Sequence, residues 1–509
     1  MADTPTQRAY RAPCPGCGAP VEFRSAQSTH AVCGYCRSTV VRDGDVLKRL
    51  GKMAELFDDH SLLQLGASGR EGGHGFTLVG RLQYQYREGR WTEWEAVLDD
   101  GGSATLAEDN GAYVFSRPIQ ARRELPPPER FRVGATTAIN GQTYAVASNE
   151  TVSLLAAQGE LPRLPELGLP FALVELRSQG EGPPRVLSID YGPLLAGQPP
   201  AVSVGRAVTL DELQMTGLKA ESAKDEKGRH FNCPSCGAAV DVALAQSQSV
   251  ACPSCHGLID LSQGVGAELR HAAQDEPVNP LIPLGSTGQL QGVHWQVVGF
   301  QHRMGQEPGD EDEWFGWDEY LLYNAKRGFA FLVDAEDGWS LVRPTTGAPV
   351  LAADGKSASY LGARYALQYS YNAKTTYVAG EFYWQVQRGQ QTFNRDFADG
   401  PNLLSMEQTP NEVTWSSGNR MHSEVIAKAF GLDAKKDLLQ RADAAPLSSA
   451  SGVSVRTIVI LVLVLLLVLF LLSRCSRCDP RVENCSSSSS GWRSSGGSFG
   501  GFSSGGGHK

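Results

Sequence analysis

Apolar and polar residues along most of this chain alternate in short runs broken by glycine-rich turns, the pattern of β-strands. Phe76-Thr77-Leu78-Val79-Gly80-Arg81-Leu82-Gln83-Tyr84-Gln85-Tyr86 mixes β-branched and aromatic residues and alternates in its second half. Glu88-Gly89 marks a turn, Trp94-Glu95-Ala96-Val97-Leu98 a return strand, and Asp99-Asp100-Gly101-Gly102 the next turn. Pro126-Pro127-Pro128 reads as a rigid linker. After it, Val133-Gly134, Gly141 and Tyr144 repeat the separations of Leu65-Gly66, Gly73 and Phe76, so the first half holds the β unit twice. In the second half Tyr320–Tyr323 and Phe329–Val333 read as strands. Leu361-Gly362 opens a fourth β unit that includes Tyr377–Gly380 and Phe382–Val386. Helical spacing is sparse, with Ser423–Phe430 and the Leu432–Ala442 region as its candidates.

One apolar run has no polar face. Thr457–Leu472 is sixteen residues without a charge. At ~1.5 Å per residue it covers about 24 Å of a hydrocarbon layer near 30 Å. A span over 454–473, with Arg456 snorkelling to the interface, closes the gap. A soluble core helix would show a polar stripe, so a transmembrane helix is expected. Residues 474–509 are rich in Ser and Gly and cannot build a core.

The chain also duplicates itself. Cys14, Cys17, Cys33 and Cys36 form a C-x₂-C-x₁₅-C-x₂-C array, and Cys233, Cys236, Cys252 and Cys255 repeat it 219 residues on. The offset persists past the cysteines: Leu65-Gly66 becomes Leu284-Gly285, Gly73 becomes Gly292, and Val79-Gly80 becomes Val298-Gly299. A whole module, ribbon plus β unit, was therefore copied. Each C-x₂-C pair forms a tight knuckle presenting two sulfurs to one ion, and four thiolates suit tetrahedral zinc. Gly18-Ala19 and Gly237-Ala238 follow the first knuckle in both copies. Two structural zinc ions are expected, with iron or redox-active thiols as alternatives. Four sulfurs close the coordination sphere, which argues against a catalytic ion and makes His30 and His256 exposed bystanders.

Composition narrows the classes. The net charge of −9 over 509 residues argues against a general nucleic-acid binder, which needs a positive surface to displace counterions. Met1-Ala2-Asp3-Thr4-Pro5 has neither a basic region nor an apolar run, so no signal peptide is expected. Without export, the cysteine pairs read as thiolate ligands rather than disulfides. Cys475, Cys478 and Cys485 adjoin the membrane segment with no assigned role. Glu307–Glu319 is acidic without calcium-loop spacing and reads as a solvated hairpin tip. The repeated glycines read as turns and bulges, since no phosphate-loop sequence exists. Gly496-Gly497-Ser498-Phe499-Gly500 matches a nucleophile elbow by letter but lies in low-complexity tail.

The second half resembles a bacterial family known as domain of unknown function 4178. Leu284–Gly288, Gly292–Gly299, Trp317-Asp318-Glu319-Tyr320-Leu321-Leu322, Gly380-Glu381-Phe382-Tyr383-Trp384-Gln385-Val386, Leu404–Glu407 and Glu412–Ser416 carry the resemblance. The first half looks like a diverged copy, with Trp94 in place of the Tyr of Trp-x-Glu-Tyr and no evident counterpart of Gly-Glu-aromatic-x-Trp. The resemblance implies a bacterial, β-rich protein fused to zinc ribbons; such proteins are encoded near membrane-stress and polyamine genes, which suggests membrane-stress proteins as partners, and the apolar run adds the bacterial cell membrane as the location. The resemblance brings no catalytic residue.

These readings predict a mainly β protein. Zinc ribbons occupy 1–50 and 228–264, barrel- or sandwich-like β domains 60–200 and 280–420, and a single transmembrane helix 454–473. The function expected is a membrane-anchored scaffold or sensor at the cytoplasmic membrane face, with no defined catalysis. Trp317, Glu319, Glu381 and Trp384 are the candidate partner-binding residues. One alternative is nucleic-acid binding by the first ribbon, which carries Arg8, Arg11, Arg24, Arg37, Arg42, Lys48 and Arg49. The other is an enzyme whose site lies among those Trp and Glu residues.

Overall fold

Four times along the chain, a two-residue turn with both φ positive folds a short strand onto a long one. The turns are Gly72-Gly73, Asn140-Gly141, Gln291-Gly292 and Leu361-Gly362, with φ of 52° and 88° at the second and 50° and 80° at the last. Such turns match the right-handed twist of paired strands and favour Asn and Gly. A bulge follows each turn in the long strand, at Leu78/Gly80, Val146/Ser148, Val297/Gly299 and Leu367/Tyr369. Leu361-Gly362 therefore does not open a unit; it is the turn inside one, where Asn140-Gly141 stands in the first copy. The computed structural model describes most of residues 10–441; residues 1–9, 442–509 and short internal stretches, the longest 220–228 and 262–269, are outside the described residues.

Ring 1 comprises β1 (His74–Gln85), β2 (Arg90–Leu98), β3 (Ser103–Asp109), β4 (Ala112–Ile119), β5 (Gln142–Leu161), β6 (Phe171–Ser178), β7 (Val186–Asp190) and β8 (Ala201–Val208). Ring 2 comprises β9 (Val293–Gln306), β10 (Trp314–Asn324), β11 (Gly328–Ala335), β12 (Gly338–Pro344), β13 (Ala363–Phe382), β14 (Gln391–Asp399), β15 (Asn402–Gln408) and β16 (Val413–Met421). In ring 1 the hydrogen-bonded order is β5-β6-β7-β8-β4-β3-β2-β1, and β1 pairs back onto β5. Ring 2 repeats this as β13-β14-β15-β16-β12-β11-β10-β9, closed by β9 on β13. Closure removes the open edges an antiparallel sheet would otherwise expose.

The outward faces are apolar and covered by connecting segments. Leu78, Trp94, Leu106 and Phe115 lie under Leu62, Leu63 and Leu213, while Val174, Leu176 and Leu187 lie under Phe131 and Leu125. The triple proline thus belongs to a strap over the outward face of ring 1 rather than to a linker: Tyr191 Oη donates to Pro126 O at 2.6 Å. In ring 2, Ile282 and the helix Ser423–Ala429 cover Trp295, Tyr320, Leu332 and Trp339. The rings touch directly: Ala348 N donates to Ser178 O at 3.0 Å and Arg177 to Thr345 O.

Three further readings meet the structure here. The chain leaves the sheet after Phe382, so Tyr383–Val386 is not strand. Of the acidic stretch, Asp318 and Glu319 lie within β10, Glu319 is buried, and 310–313 are outside the described residues. Thr457–Leu472 is also outside them; among the described residues no helix is long and apolar enough to cross a membrane.

Candidate metal centres and ring interiors

Each knuckle is held by its own backbone. Gly18 N donates to Cys14 O at 2.8 Å and Cys14 N to Ala19 O at 2.7 Å; the second array repeats both bonds at 2.9 and 2.8 Å through Gly237, Cys233 and Ala238. Gly18 and Gly237 sit at φ of 78° and 73°, a conformation glycine adopts without cost. The far knuckles close with Arg37 N and His256 N donating to Cys33 O and Cys252 O, both at 2.9 Å. Opposite sulfurs then meet: Cys14–Cys36 at 3.7 Å, Cys17–Cys33 at 3.8 Å, Cys233–Cys255 at 3.7 Å and Cys236–Cys252 at 3.7 Å. Within each array all four sulfurs lie within 4.8 Å of one another.

A tetrahedron with metal–sulfur bonds of about 2.3 Å has edges of about 3.8 Å, while a disulfide needs about 2.05 Å. The sulfurs are spaced for an ion, not for a disulfide. Both groups can hold a metal ion; zinc and iron share this donor set. One thiol of each array is drawn down, Cys36 to about 6, first by the Ser38 hydroxyl, and Cys236 to about 7, first by the Ala238 N–H, while, against an opposing backbone N–H, hydrogen bonds from neighbouring thiols push Cys17 and Cys255 up to about 12. His30 and His256 belong to neither sulfur group, and both are half-buried rather than exposed. His30 Nδ1 meets Thr29 Oγ1 at 2.8 Å, and His256 Nδ1 meets Tyr377 Oη at 3.3 Å.

Glu381 fastens the second ribbon to ring 2. Its carboxylate accepts from Ala243 N at 2.7 Å, Leu244 N at 2.9 Å and Ser247 Oγ at 2.8 Å. Glu160 does the same for the first ribbon, accepting from Arg24 N at 2.6 Å and Ser25 N at 3.0 Å. The Gly-Glu of the family pattern therefore does have a counterpart in the first copy, Gly159-Glu160. Without the aromatic residues after it, that pair was not recognisable in the sequence.

Trp317 and Glu319 turn into ring 2, 2% and 4% exposed. Trp317 Nε1 donates to Glu319 Oε1 at 2.6 Å, and Gln301 Nε2 to Glu319 Oε2 at 2.5 Å. Arg303, on β9, reaches across the ring to Thr392 Oγ1 at 2.7 Å and Glu407 Oε2 at 3.0 Å, on β14 and β15. Burial works against its charge, and Glu407 and Glu319 outweigh that and hold it protonated. Tyr371 Oη and Ser405 Oγ both donate to Asp396, at 2.7 and 2.5 Å. The interior of ring 2 is thus a polar network rather than an oil drop. Arg303, Glu407, Tyr371 and Asp396 were not singled out from the sequence; a lone Arg at the inward register of a core strand was the available signal.

Trp384 lies elsewhere, half-buried against Phe382 and Tyr383 with ring centroids 5.1 and 4.7 Å away. The four candidate partner residues therefore serve three separate places: Trp317 and Glu319 the interior, Glu381 the ribbon, Trp384 an aromatic cluster. Farther along, a small open pocket is lined by Asp337, Ser340, Tyr369, Asp396 and Arg420. Arg420 pairs with Asp337 there at 3.3 Å.

Fold and sites together define a mainly β protein with two tetra-cysteine groups able to hold metal ions, beside closed eight-stranded rings. A domain of the family described as Domain of unknown function (DUF4178) is found at residues 283–423, the stretch that builds ring 2. No curated protein and no solved structure matches the chain.

Proposed function

We propose that this protein is a membrane-anchored scaffold or sensor whose two ribbons each carry a structural zinc ion. The observation that carries the reading is the repeated sulfur geometry, the same donor set at the same spacing in both copies. Four sulfurs fill a tetrahedron and leave no position for water, so the metal's work is to fold the ribbon. Thr457–Leu472 supplies the anchor, and the large N-terminal part faces the cytoplasm, where reduced thiols persist. Protein partners fit a net negative surface better than nucleic acid does. An enzyme site built on Glu319 and Glu381 finds no support, because the two carboxylates serve different contacts and do not converge.

Elemental analysis of the full chain, expressed with ample zinc, is expected to give about two zinc ions per molecule. Cys14→Ser should lose one and keep the other. Less than one ion per chain, or disulfides among the eight paired cysteines, would overturn the reading.

A further inference from the structure

The same junction occurs twice, where each ring closes. Strand β5 pairs with β1 through Gly159, which faces Gly80, and at that residue passes to the ribbon strand His30–Val32, pairing with Val32. Strand β13 does likewise, pairing with β9 up to Gly380, opposite Gly299, and then with the ribbon strand Ser249–Ala251. The backbones cross closely enough that only glycine fits. A Cβ on Gly159 or Gly380 would lie 2.3 Å from Val79 O or Val298 O, and one on Gly80 or Gly299 would lie 1.9 or 2.6 Å from the carbonyl of Glu160 or Glu381. Directly after each crossing glycine comes the glutamate that binds the segment between the ribbon's knuckles. One more bond repeats beside it: Thr29 N donates to Leu161 O at 3.1 Å, and Gln248 N to Phe382 O at 2.8 Å.

We propose that Glu160 and Glu381 are latches that couple metal occupancy of each ribbon to the closure of its own ring. The inference rests on the ribbons binding metal as proposed above. The segments that the latches hold, Arg24-Ser25 and Ala243-Leu244, lie between the two knuckles of their ribbons and keep their shape only while both knuckles are joined. A ribbon of this size has too small an apolar core to hold that shape without its ion. Releasing the ion frees the segment, leaves the glutamate without its donors and removes the strand that continues the seam. The ring then opens at β1–β5 or β9–β13, while strands on the far side keep their partners. Metal state is thereby converted into the state of a β-seam, a readout that a scaffold can present to a partner.

The test is amide hydrogen exchange on the full chain, with metal and after removal by a chelator, alongside Glu160→Ala and Glu381→Ala. Chelation should speed exchange at least tenfold in 80–85 and 153–161, and in 299–306 and 372–382, and leave Ser103–Ile119 and Asn402–Gln408 unchanged. Each substitution should loosen only its own seam with about two ions still bound per chain, and the untouched copy is the internal control. If a variant fails to fold, Ser247→Ala, which removes one donor, should loosen the second seam alone. Exchange that rises in the ribbons while the seams stay protected overturns the latch and leaves the metal reading intact. A chain that binds no metal overturns the metal reading itself, and the latch with it.

Discussion

The Trp317 indole donates to Glu319 at 2.6 Å inside ring 2, and Trp91 donates to Glu93 at 3.2 Å at the same place in ring 1. The pair was copied; its surroundings diverged. Opposite Trp317 stands Arg303, and opposite Trp91 stands Tyr84. Ring 2 compensates its carboxylate with a guanidinium 3.6 Å away, whereas in ring 1 Glu93 stands beside Glu95 and the nearby Arg163, paired with Asp190, offsets their burial only in part.

That difference predicts a pH response that the Glu93–Glu95 pair of ring 1 carries and the Trp317–Glu319 pair of ring 2 does not. Burial, before all else, pushes Glu93 up to about 7; burial and then the charge of Glu93 push Glu95 up to about 8, from an ordinary 4.5. Both groups hold protons in the folded state that the unfolded chain has released between about 4.5 and 8. Stability therefore falls as pH rises through that window and stays low above it. Glu95→Gln should raise the urea midpoint relative to the parent chain at pH 8.5 and leave it nearly unchanged at pH 5. Comparing the two chains at each pH cancels the opposite trend from thiol deprotonation at the metal sites. An identical pH slope in both would disprove the assignment.

Arg303 should be the costlier residue to lose. It is 3% exposed and faces the buried Glu319 and the half-buried Glu407, so Arg303→Met strands one enclosed carboxylate and unpairs a second. Breaking a buried pair from one side costs about 3–5 kcal/mol. Adding Glu319→Gln should recover part of the loss, as coupling within one network requires. Denaturant unfolding of the single and double variants measures both, and strict additivity would count against the network.

Much of this was legible from residue spacing, and the reasons are local. The cysteine knuckles and their trailing glycines specify geometry within a few residues, so the sulfur groups were readable. Gly73, Gly141 and Gly292 were readable for the same reason, whereas Gly362, preceded by Leu as Gly66 is, looked like the start of a unit. Ring closure was not, because β1 meets β5 across some seventy residues of chain and only pairing partners reveal it. The inward turn of Trp317 was missed because a polar face enclosed by a ring reads in sequence like a polar face turned to solvent. Glu160 was missed because its neighbours Leu161 and Pro162 bear no likeness to Phe382 and Tyr383, while the contact it makes is the same.

The seam glycines make a sharp structural test. Gly380 has φ of 80° and no room for a Cβ against Val298 O. Gly380→Ala adds left-handed strain of about 1 kcal/mol and a backbone clash beyond it. It should lower the melting temperature far more than Gly362→Ala, whose φ is also 80° but where a Cβ meets nothing within 4 Å. Equal effects at both positions would show that conformational strain alone, and not the close crossing, governs the site.

The orientation of the proposed anchor sets two arguments against each other. Arg441 and Arg456 precede Thr457–Leu472, while Arg474, Arg477 and Arg481 follow it. Taken alone, the excess of positive charge would place the tail inside. Charge bias governs short loops more than long domains, however, and eight thiolates proposed as metal ligands need a reducing compartment. The ribbons and rings should therefore face the cytoplasm with the Ser/Gly tail outside. A reporter active only in the cytoplasm, fused after Lys509, should stay silent, and the ribbons should resist protease in intact cells. A strong signal from that fusion, together with cleavage of the ribbons from outside, would reverse the assignment and remove the reducing environment on which the proposed zinc sites depend.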